Sequence, residues 1–381
     1  MTGALPDTAL ALRSTVTSQN ELVLSLLGVP VPAPADNEVI VRVEASPINP
    51  SDINVLFATA DIDHARVEGT PDRPVVKAPL REGTLRALSA RIDQPLPVGN
   101  EGAGTVVAAG GSPAAQALIG KTVGIFGGGV FAEYRAVDAA SCLVLPEGAT
   151  ARDGASSFVN PMTALGMVET MRREGHSGLV HTAAASNLGQ MLVKICLPDD
   201  VPLVNIVRKP EQEELLRSLG AVYVCSTASP SFVADLTDAL KETGATLAFD
   251  ATGGGPLAGQ ILTAMERAVQ ATTRQDFSPY GSTVHKQVYL YGGLDPRPVT
   301  LGREFGLAWG VGGWLVSSFL AEAGIDTLVR LRSRVAAELT TTFASAYARD
   351  VTLTEMLDPG VIASYAKRAT GEKFLLTPNV A

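Results

Sequence analysis

Cysteine is scarce in this chain of 381 residues, and the three that are present, Cys142, Cys196 and Cys225, lie far apart. Their number is odd and no CxxC pair occurs, which excludes a disulfide framework. Reduced thiols fit a reducing compartment, and we therefore expect a cytoplasmic protein.

Positive charge is also in short supply, since 30 Lys and Arg stand against 39 Asp and Glu, for a net charge of −9. No run of basic residues is longer than two. A nucleic-acid partner would require a basic face for its phosphates, so we expect no such partner.

Long apolar runs are lacking as well. The uncharged segment 305–321 reaches only the short limit for a membrane span, and it contains four glycines and both tryptophans. We expect it to be a buried or interface segment, and we expect no membrane partner. The first residues, MTGALPDTALALRSTV, have no basic stretch followed by an apolar one, which argues against a signal peptide.

Apolar residues make up 46% of the chain and charged residues 18%, so a large core is possible. The first 150 residues predict mostly β-structure with glycine turns, as in a partly open barrel. Within them we expect a loop at Ser46–Asn54 and an irregular excursion at 58–97, which contains five prolines.

After Pro146 the pattern changes to alternating strands and helices, which predicts a parallel, doubly wound sheet. A helical pattern covers Ala151–Arg173 and is interrupted at Asn160-Pro161. A further helix is predicted at 323–340 and strands at Thr341–Tyr347 and Lys373–Leu376.

The stretch 178–209 is the most informative. It predicts a short strand, a turn of small residues at Thr182–Gly189, a helix, and a second apolar strand that ends at Arg208-Lys209. Small residues let the backbone approach a pyrophosphate, and the helix N-terminus favours negative charge. The glycine fingerprint is degenerate, however, and an ordinary packing turn remains an alternative.

Arg208 lies 19 residues after Gly189, where a basic residue suits the 2′-phosphate of NADP and an acidic one the ribose of NAD. A charge-assisted bond of roughly 1.5–3 kcal/mol gives about a ten- to hundredfold preference. We therefore expect NADPH as the cofactor, with a solvated strand end as the alternative.

Motifs along nearly the whole chain resemble those of the medium-chain dehydrogenase/reductase superfamily. In order, they are EVIVRVEASPINPSD, GNEGAGTVVAAGG, FAEY, NPMTA, TAAASNLGQ, SLGAVYV and TGEKFLL. The NPSD loop, NPMTA and NIVRKPE look most like the zinc-free quinone oxidoreductases and the mitochondrial-type enoyl-thioester reductases.

The resemblance implies an α/β fold in which a β-rich GroES-like domain is formed by both termini and a doubly wound parallel Rossmann sheet is inserted. We expect the GroES-like domain at 1–158 and 341–381 and the NADP-binding domain at 159–340. It also implies a homodimer that pairs the edges of the Rossmann sheets, with 305–321 as a plausible contact.

The resemblance further implies contacts for individual residues. Asn49 would lie near the nicotinamide or the substrate, and Lys373 on the far side of the cleft. The other implied cofactor contacts are Asn160, Thr163, Ala184, Ser186, Asn187, Leu188, Gly189, Arg208, Lys209, Thr252, Gly253, Tyr291, Gly292 and Gly293.

Several of these residues have a structural alternative. Asn49 and Asn160 both precede proline and can satisfy turns. Thr163 can bond within a helix, the glycines can serve backbone geometry, and Lys373 can be a surface charge.

A catalytic zinc is not expected. Where zinc-dependent relatives have a cysteine and a histidine, this chain has Asn49 and Asn100, and amides are poor zinc ligands. Without that Lewis acid, alcohol oxidation is disfavoured, whereas hydride addition to a conjugated C=C or a quinone needs less assistance.

The chain departs from related reductases in one respect. They carry a tyrosine after the NPSD loop, and the corresponding positions here hold Asn54 and Ala60, which cannot protonate an enolate. Water, Asp52 or His64 is left as the proton source, although a lone loop histidine is often only solvated surface.

These observations favour an NADPH-dependent, zinc-free reductase of a quinone or an α,β-unsaturated carbonyl. An enoyl-thioester reductase is a second possibility, which would need a basic patch, and only Arg81, Arg86 and Arg91 offer one. A third possibility, of another class, is a non-catalytic NADPH-binding sensor or scaffold.

Overall fold

The computed structural model describes residues 5–273, 278–367 and 371–379. They form two compact units. Unit 1 comprises the described residues of Met1–Val159 and Arg332–Ala381, and unit 2 comprises those of Asn160–Leu331.

The described residues form strands and helices with the following bounds. The strands are β1 (Thr8–Val16), β2 (Glu21–Pro30), β3 (Glu38–Pro47), β4 (Arg66–Thr70), β5 (Arg73–Pro79), β6 (Leu96–Pro97), β7 (Glu101–Ala109), β8 (Thr122–Phe126), β9 (Tyr134–Asp138), β10 (Leu143–Val144), β11 (Leu179–His181), β12 (Leu203–Val207), β13 (Tyr223–Ser226), β14 (Leu247–Asp250), β15 (Lys286–Leu290), β16 (Trp309–Gly313), β17 (Arg349–Val351) and β18 (Phe374–Leu376). The helices are α1 (Pro50–Phe57), α2 (Pro113–Gln116), α3 (Ala151–Gly154), α4 (Val159–Arg173), α5 (Asn187–Cys196), α6 (Pro210–Ser218), α7 (Phe232–Thr243), α8 (Leu257–Thr272), α9 (Val316–Ala323), α10 (Ile325–Ala337) and α11 (Pro359–Tyr365).

Unit 1 is built on two sheets, in the strand orders β4-β5-β2-β1-β6 and β10-β8-β7-β3-β18-β17, with β9 also paired to β3. Strand β3 is central to the second sheet because it pairs with β7, β9 and β18, and its Val39, Val41 and Val43 are buried in one apolar cluster. Strand β18 pairs antiparallel with β3, with Leu375 opposite Pro47. Unit 1 is therefore assembled from both ends of the chain, as predicted.

The described residues of unit 2 form one parallel sheet in the order β13-β12-β11-β14-β15-β16. This order is that of the doubly wound dinucleotide-binding fold. All five residues of β12 are buried, as expected for a parallel strand that is covered on both faces. The predicted α/β fold class is confirmed.

The predicted loop at Ser46–Asn54 is wrong except at Ile48 and Asn49, because β3 extends to Pro47 and α1 begins at Pro50. Asn49 is the N-cap residue, its backbone N–H donates to Asp52 Oδ2 at 2.7 Å, and Pro50 occupies the first helical position. The prolines and small polar residues that suggested a loop are thus the start signals of a helix.

The helical pattern at Ala151–Arg173 is also interrupted elsewhere than predicted. The break lies at 155–158, between α3 and α4, whereas Asn160-Pro161 lies in the first turn of α4. A proline is tolerated there because the N–H that it lacks has no intrahelical partner.

The segment 58–97 is more regular than its prolines suggested. It contains an antiparallel hairpin of β4 and β5, in which Thr70 pairs with Arg73. The prolines Pro71 and Pro74 fall at the turn and the strand start, where their missing N–H is tolerated.

The predicted strand at Thr341–Tyr347 is wrong, because these residues are turn and irregular structure and β17 begins only at Arg349. The segment 305–321 divides into strand β16 and part of helix α9, and it is only partly buried. No helix among the described residues is long and apolar enough to cross a membrane.

Candidate functional site

The turn between β11 and α5 in unit 2 is closed tightly enough to require small residues. Ser186 caps α5, and its hydroxyl accepts a hydrogen bond from the Gly189 N–H at 3.2 Å. A Cβ on Gly189 would lie 2.0 Å from the carbonyl oxygen of Ala184, so only glycine fits. Ala183 adopts a positive φ of 49°. The arrangement brings the backbone close to the N-terminus of a ten-residue helix, which suits a phosphate group.

Asn187 and Leu188 form the first turn of α5 directly after Ser186, and Ala184 is fully buried in the turn before it. All the predicted pyrophosphate contacts therefore lie in one turn at the end of β11.

Asp250, which the sequence reasoning missed, fixes this turn to the next strand. Its buried carboxylate accepts hydrogen bonds from the Thr182 hydroxyl at 2.7 Å and from the Thr252 and Gly253 N–H groups at 2.9 and 3.3 Å. The Thr182 hydroxyl in turn accepts from the Ala251 N–H at 2.8 Å. The position of an aspartate at the end of a buried strand was the available signal.

The five predicted groove residues lie just after the ends of β14 and β15, and three of them are glycines. A Cβ on Gly253 would lie 2.0 Å from the Gly292 carbonyl oxygen, and a Cβ on Gly292 would lie 2.4 Å from that of Ala251. These two glycines thus serve the close approach of two strand ends. Gly293 has open space around the position of a Cβ.

Tyr291 directs its hydroxyl into unit 2, where it lies 2.7 Å from Nε2 of His181. Burial lowers the pKa of His181 to about 3, so its ring is neutral. Burial also raises the pKa of the Tyr291 phenol. The hydroxyl of Tyr291 thus has a partner inside unit 2.

Arg208 and Lys209 are exposed at the end of β12. Their backbone N–H groups both donate to Gln212 Oε1, at 3.0 and 3.1 Å, which anchors the start of α6. Lys209 Nζ lies 3.7 Å from Glu211 Oε1. Within the described residues, the Arg208 guanidinium has neither an ion pair nor a hydrogen bond, so its charge is available to a ligand.

Helix α4 carries two further predicted contacts. Asn160 is partly buried in its first turn, and Thr163 is buried one turn later. The spacing of three residues places them on one face of the helix.

Unit 1 contains a buried cluster of polar side chains around Asn49. The Asn49 amide donates to Glu101 Oε1 at 2.8 Å, and Glu101 Oε2 accepts from the Phe158 and Val159 N–H groups at 2.9 and 2.8 Å. Asp52 accepts from the backbone N–H groups of Asn49 at 2.7 Å and Asn100 at 2.8 Å. Within the part of the chain that the structure describes, neither carboxylate forms an ion pair with a cationic side chain.

Burial shifts the ionisation of this cluster. It raises the pKa of Asp52 to about 7 and also raises the pKa of Glu101. It lowers the pKa of Lys373 to about 8, against the attraction of the Glu101 and Asp52 charges. Groups that titrate near neutrality are suited to proton transfer.

Lys373 is not the surface charge considered above, because its ammonium donates to the buried hydroxyl of Ser156 at 2.7 Å. Ser156 Oγ also lies 2.8 Å from the hydroxyl of Tyr347. The sequence reasoning missed Glu101, Ser156 and Tyr347, since their partners are distant in the chain.

His64 is not part of this cluster. Its side chain is 75% exposed, and Nδ1 lies 2.8 Å from Asp61 Oδ2 in a turn that follows α1. Asn54 is exposed on α1 and Ala60 is buried. Neither side chain has a hydroxyl, so the two positions at which related reductases carry a tyrosine supply no phenol.

The two positions that hold zinc ligands in zinc-dependent relatives are occupied by engaged amides. The Asn49 amide donates to Glu101, and the Asn100 amide donates to Ser51 Oγ at 3.0 Å. Among the residues that the structure describes, no group of three or more His, Cys, Asp or Glu side chains could hold a metal ion.

Comparisons with known proteins show what this chain is similar to. Residues 35–147 match the alcohol dehydrogenase GroES-like domain. The chain is similar to mitochondrial enoyl-[acyl-carrier-protein] reductase of Xenopus tropicalis, with 28% identity over 73% of this chain and 68% of that protein. It is also similar to prostaglandin reductase-3 of Mus musculus, with 29% identity over 57% of this chain but only 50% of that protein.

A Mesorhizobium loti crystal structure, assigned as an NADPH:quinone reductase, shares the fold. It has a TM-score of 0.71 and 23% identity, and the alignment covers 99% of this chain and 100% of that one. Together with the two units, these comparisons show an alcohol dehydrogenase GroES-like domain at residues 35–147 and, for the whole chain, a similarity to reductases of the medium-chain dehydrogenase/reductase superfamily.

Proposed function

We propose that this chain is an NADPH-dependent, zinc-free reductase that transfers hydride to a quinone or an α,β-unsaturated carbonyl compound. The observation that carries the proposal is the tight turn before α5 together with the available Arg208 guanidinium at the end of β12. When bound, NADPH supplies the hydride.

The residues present fit a dinucleotide. A side chain at Gly189 would fill the space by the Ala184 carbonyl, so the turn stays open to close backbone contact. The N-terminus of α5 would hold the pyrophosphate, and Arg208, assisted by Lys209, would hold the 2′-phosphate. Asn160 and Thr163 remain our predictions for the nicotinamide side.

The amides at Asn49 and Asn100 support the zinc-free assignment, because both donate to protein oxygens and amides are poor zinc ligands. A conjugated C=C or a quinone is already electrophilic. Its reduction depends on orientation and on groups that stabilise and then protonate the anion, and the cluster around Asn49 contains groups whose pKa lies near neutrality.

An enoyl-thioester reductase is the second candidate, favoured by the similarity to mitochondrial enoyl-[acyl-carrier-protein] reductase. Of the three arginines that could form its basic patch, Arg91 bonds the Ser14 hydroxyl at 2.9 Å and the Val55 carbonyl, whereas Arg81 and Arg86 are exposed. A patch for a phosphopantetheine group would therefore rest on Arg81 and Arg86.

Cofactor titration tests the proposal first. We expect NADPH to bind at least about tenfold more tightly than NADH, from one charge-assisted contact, and Arg208→Glu to abolish this preference. Arg267→Glu is the matched control, because Arg267 is an exposed arginine on α8 that pairs with Glu304. A preference that survives in Arg208→Glu would contradict the role of Arg208.

Measurements of turnover then distinguish the quinone or enone reductase, the enoyl-thioester reductase and the non-catalytic NADPH-binding protein. NADPH oxidation is followed with 1,4-naphthoquinone, an aliphatic enone and an enoyl-CoA. Activity only with the enoyl-CoA, lost in Arg81→Glu/Arg86→Glu, would establish the second candidate. Tight NADPH binding without turnover would indicate the non-catalytic sensor or scaffold instead.

We also propose a homodimer through strand β16, which lies at one end of the parallel sheet. The exposed side chains of Leu307 and Leu315 flank this strand, with exposed fractions of 72% and 60%. Light scattering should give the mass of a dimer for the wild type and of a monomer for Leu307→Glu/Leu315→Glu. A cytoplasmic location remains a prediction from composition.

A further inference from the structure

Unit 2 contains a cavity of about 260 Å³ at the amino ends of two strands of its sheet. Pro202 and Leu203, at the start of β12, line it together with Ala221 and Val222, which precede β13. The proposed cofactor contact Arg208 follows the other end of β12, whose five residues span roughly 13 Å. The cavity therefore lies within unit 2 and apart from the proposed cofactor site.

The cavity is large enough for a small organic molecule. An apolar cavity of about 150 Å³ can hold benzene, so this one has room for a ring with a short substituent. Most of its wall is apolar and includes Val193, Cys196 and Leu197 from the end of α5 and Leu203 from β12. Two lining side chains, Leu197 and Val222, are 47% and 65% exposed, so a ligand can enter from solvent beside them.

One buried amide in this wall has an unpaired acceptor. Asn205 is 1% exposed and lies on the same face of β12 as Leu203, because side chains alternate along a strand. Its Nδ2 donates to the Tyr223 carbonyl oxygen at 3.2 Å, which fixes the orientation of the amide. Within the described residues, Asn205 Oδ1 accepts no hydrogen bond. Since an unpaired buried acceptor is costly, Asn205 indicates a ligand that carries a hydrogen-bond donor.

The charged side chains of the cavity are acidic. Asp200 and Glu242 line it, and no Lys or Arg of the described chain is among its lining residues. Tyr223 adds an aromatic ring, and its hydroxyl donates to Glu242 Oε2 at 3.1 Å. Arg217 donates to the carbonyl oxygen of a lining residue, but it lies outside the wall and pairs with Glu213 at 2.8 Å. Carboxylates together with an aromatic ring favour an organic cation.

Two helices also end at this cavity. The ten-residue helix α5 ends at Cys196 and the twelve-residue helix α7 ends at Thr243, and both residues line the cavity. The C-terminus of a helix carries the negative end of its dipole and favours a positive charge nearby. The backbone therefore selects for the same sign of ligand charge as the side chains.

We propose that this cavity binds a small organic cation, a primary ammonium group on an apolar body. The ammonium would donate to Asn205 Oδ1 in the field of Asp200 and Glu242, and the apolar body would pack against Val193 and Leu203. A bare metal ion is a poorer ligand, because the described residues contain no group of three or more side chains that could hold one. The inference does not depend on the proposed function, since no predicted cofactor contact lines the cavity.

Benzylammonium is the probe, because it joins a primary ammonium group to a ring of suitable size. Isothermal titration calorimetry of the cofactor-free protein at neutral pH gives its Kd, and benzyl alcohol and benzoate keep the ring but change the charge. We expect benzylammonium to bind at least about tenfold more tightly than benzyl alcohol, and benzoate not to bind. Added salt should weaken the binding of benzylammonium but not that of benzyl alcohol.

Substitutions locate the site. Asn205→Leu removes the acceptor at similar volume and should weaken benzylammonium binding at least about tenfold, since a charge-assisted hydrogen bond is lost. Asp200→Asn and Glu242→Gln should each weaken it about two- to fivefold, because both carboxylates are exposed. Asp238→Asn is the matched control, since Asp238 is an exposed carboxylate of α7 that does not line the cavity, and it should leave the Kd unchanged.

Two further variants guard against loss of folding, which far-UV circular dichroism reports. Ala221→Leu fills part of the cavity without a change of charge and should also weaken binding at least about tenfold. The double variant Asp200→Asn/Glu242→Gln changes only exposed side chains, so it decides the question even if the variants at Asn205 and Ala221 do not fold. It should weaken binding at least about fivefold.

The outcomes separate this inference from the proposed function. A wild type that does not bind benzylammonium, or binds it no more tightly than benzyl alcohol, overturns the cation site. Binding that survives in the folded variants at Asn205 and Ala221 and in the double variant overturns its location. A wild type that binds benzylammonium but not NADPH overturns the proposed function and leaves this inference intact.

Discussion

Replacing Lys286 with methionine should lower the free energy of unfolding of unit 2 by about 3–5 kcal/mol, because it removes one partner of a buried ion pair. Lys286 is fully buried, and its Nζ lies 2.5 Å from Glu266 Oε2. The same carboxylate accepts hydrogen bonds from the Ser282 hydroxyl and N–H at 2.6 and 2.7 Å. These bonds keep Glu266 in place, so the substitution leaves a buried negative charge without its cation.

Urea unfolding followed by tryptophan fluorescence measures the loss of unfolding free energy in unit 2. Both tryptophans, Trp309 and Trp314, lie in unit 2, and Trp309 is paired in register with Lys286. Lys241→Met is the matched control, since Lys241 forms an exposed pair with Asp238, which should be worth at most about 1 kcal/mol.

A double substitution separates the ion pair from simple packing. Glu266→Leu/Lys286→Met removes both charges, so its loss should be smaller than the sum of the losses of the single variants. A loss below about 1 kcal/mol in Lys286→Met would refute the reasoning, since it would mean that the carboxylate is not left uncompensated.

The stability that the Glu266–Lys286 ion pair contributes depends on pH. Burial alone would raise the pKa of Glu266, but the bonds from Lys286 and Ser282 lower it to about 2. The folded state therefore gains stability above the unfolded pKa of 4.5, and that stability is lost as the pH falls toward 2. Lys286→Met should reduce this acid sensitivity.

Two further perturbations address the candidate site. The raised pKa of Asp52 means that folded unit 1 keeps a proton which the unfolded chain releases above 3.8, so stability should fall as the pH rises from 3.8 to about 7. Asp52→Asn should flatten this slope in melts followed by far-UV circular dichroism, and an unchanged slope would exclude Asp52 as its source. Gly189→Ala places a Cβ 2.0 Å from a backbone oxygen and should cost about 1–3 kcal/mol and weaken NADPH binding in calorimetry. Gly302→Ala, where a Cβ meets nothing within 4 Å, is the control, and equal effects of the two substitutions would contradict the prediction.

Local patterns predicted unit 2 well because the buried strands of a parallel sheet are short runs of apolar residues in the sequence. The strand, turn and helix at 178–196 could be placed from the sequence, since β11 is buried throughout and α5 keeps a helical spacing. Prolines misled the prediction in unit 1. Pro50 starts a helix, Pro71 lies in a hairpin turn and Pro74 lies at the start of a strand, so the same residue type marks three different structures.

The long-range part of the candidate site could not be predicted. Ser156, Tyr347 and Lys373 are ordinary residues in their local sequence, and their hydrogen bonds join positions 191 and 217 residues apart. Without a repeating pattern, a single sequence contains no signal for such pairs. The turn around Gly189 is different, because all its contacts are local.

The return of the chain to unit 1 through β18 has a consequence for biosynthesis. Lys373 is made 217 residues after Ser156, which at 5–20 residues per second is a delay of roughly 10–45 seconds. All of unit 2 is translated within that interval. Until then β3 lacks β18 beside Pro47, and Asp52 and Glu101 lack their nearby cation. On the ribosome, unit 2 can therefore finish folding while unit 1 is still an open sheet, which a nascent-chain chaperone would be expected to recognise.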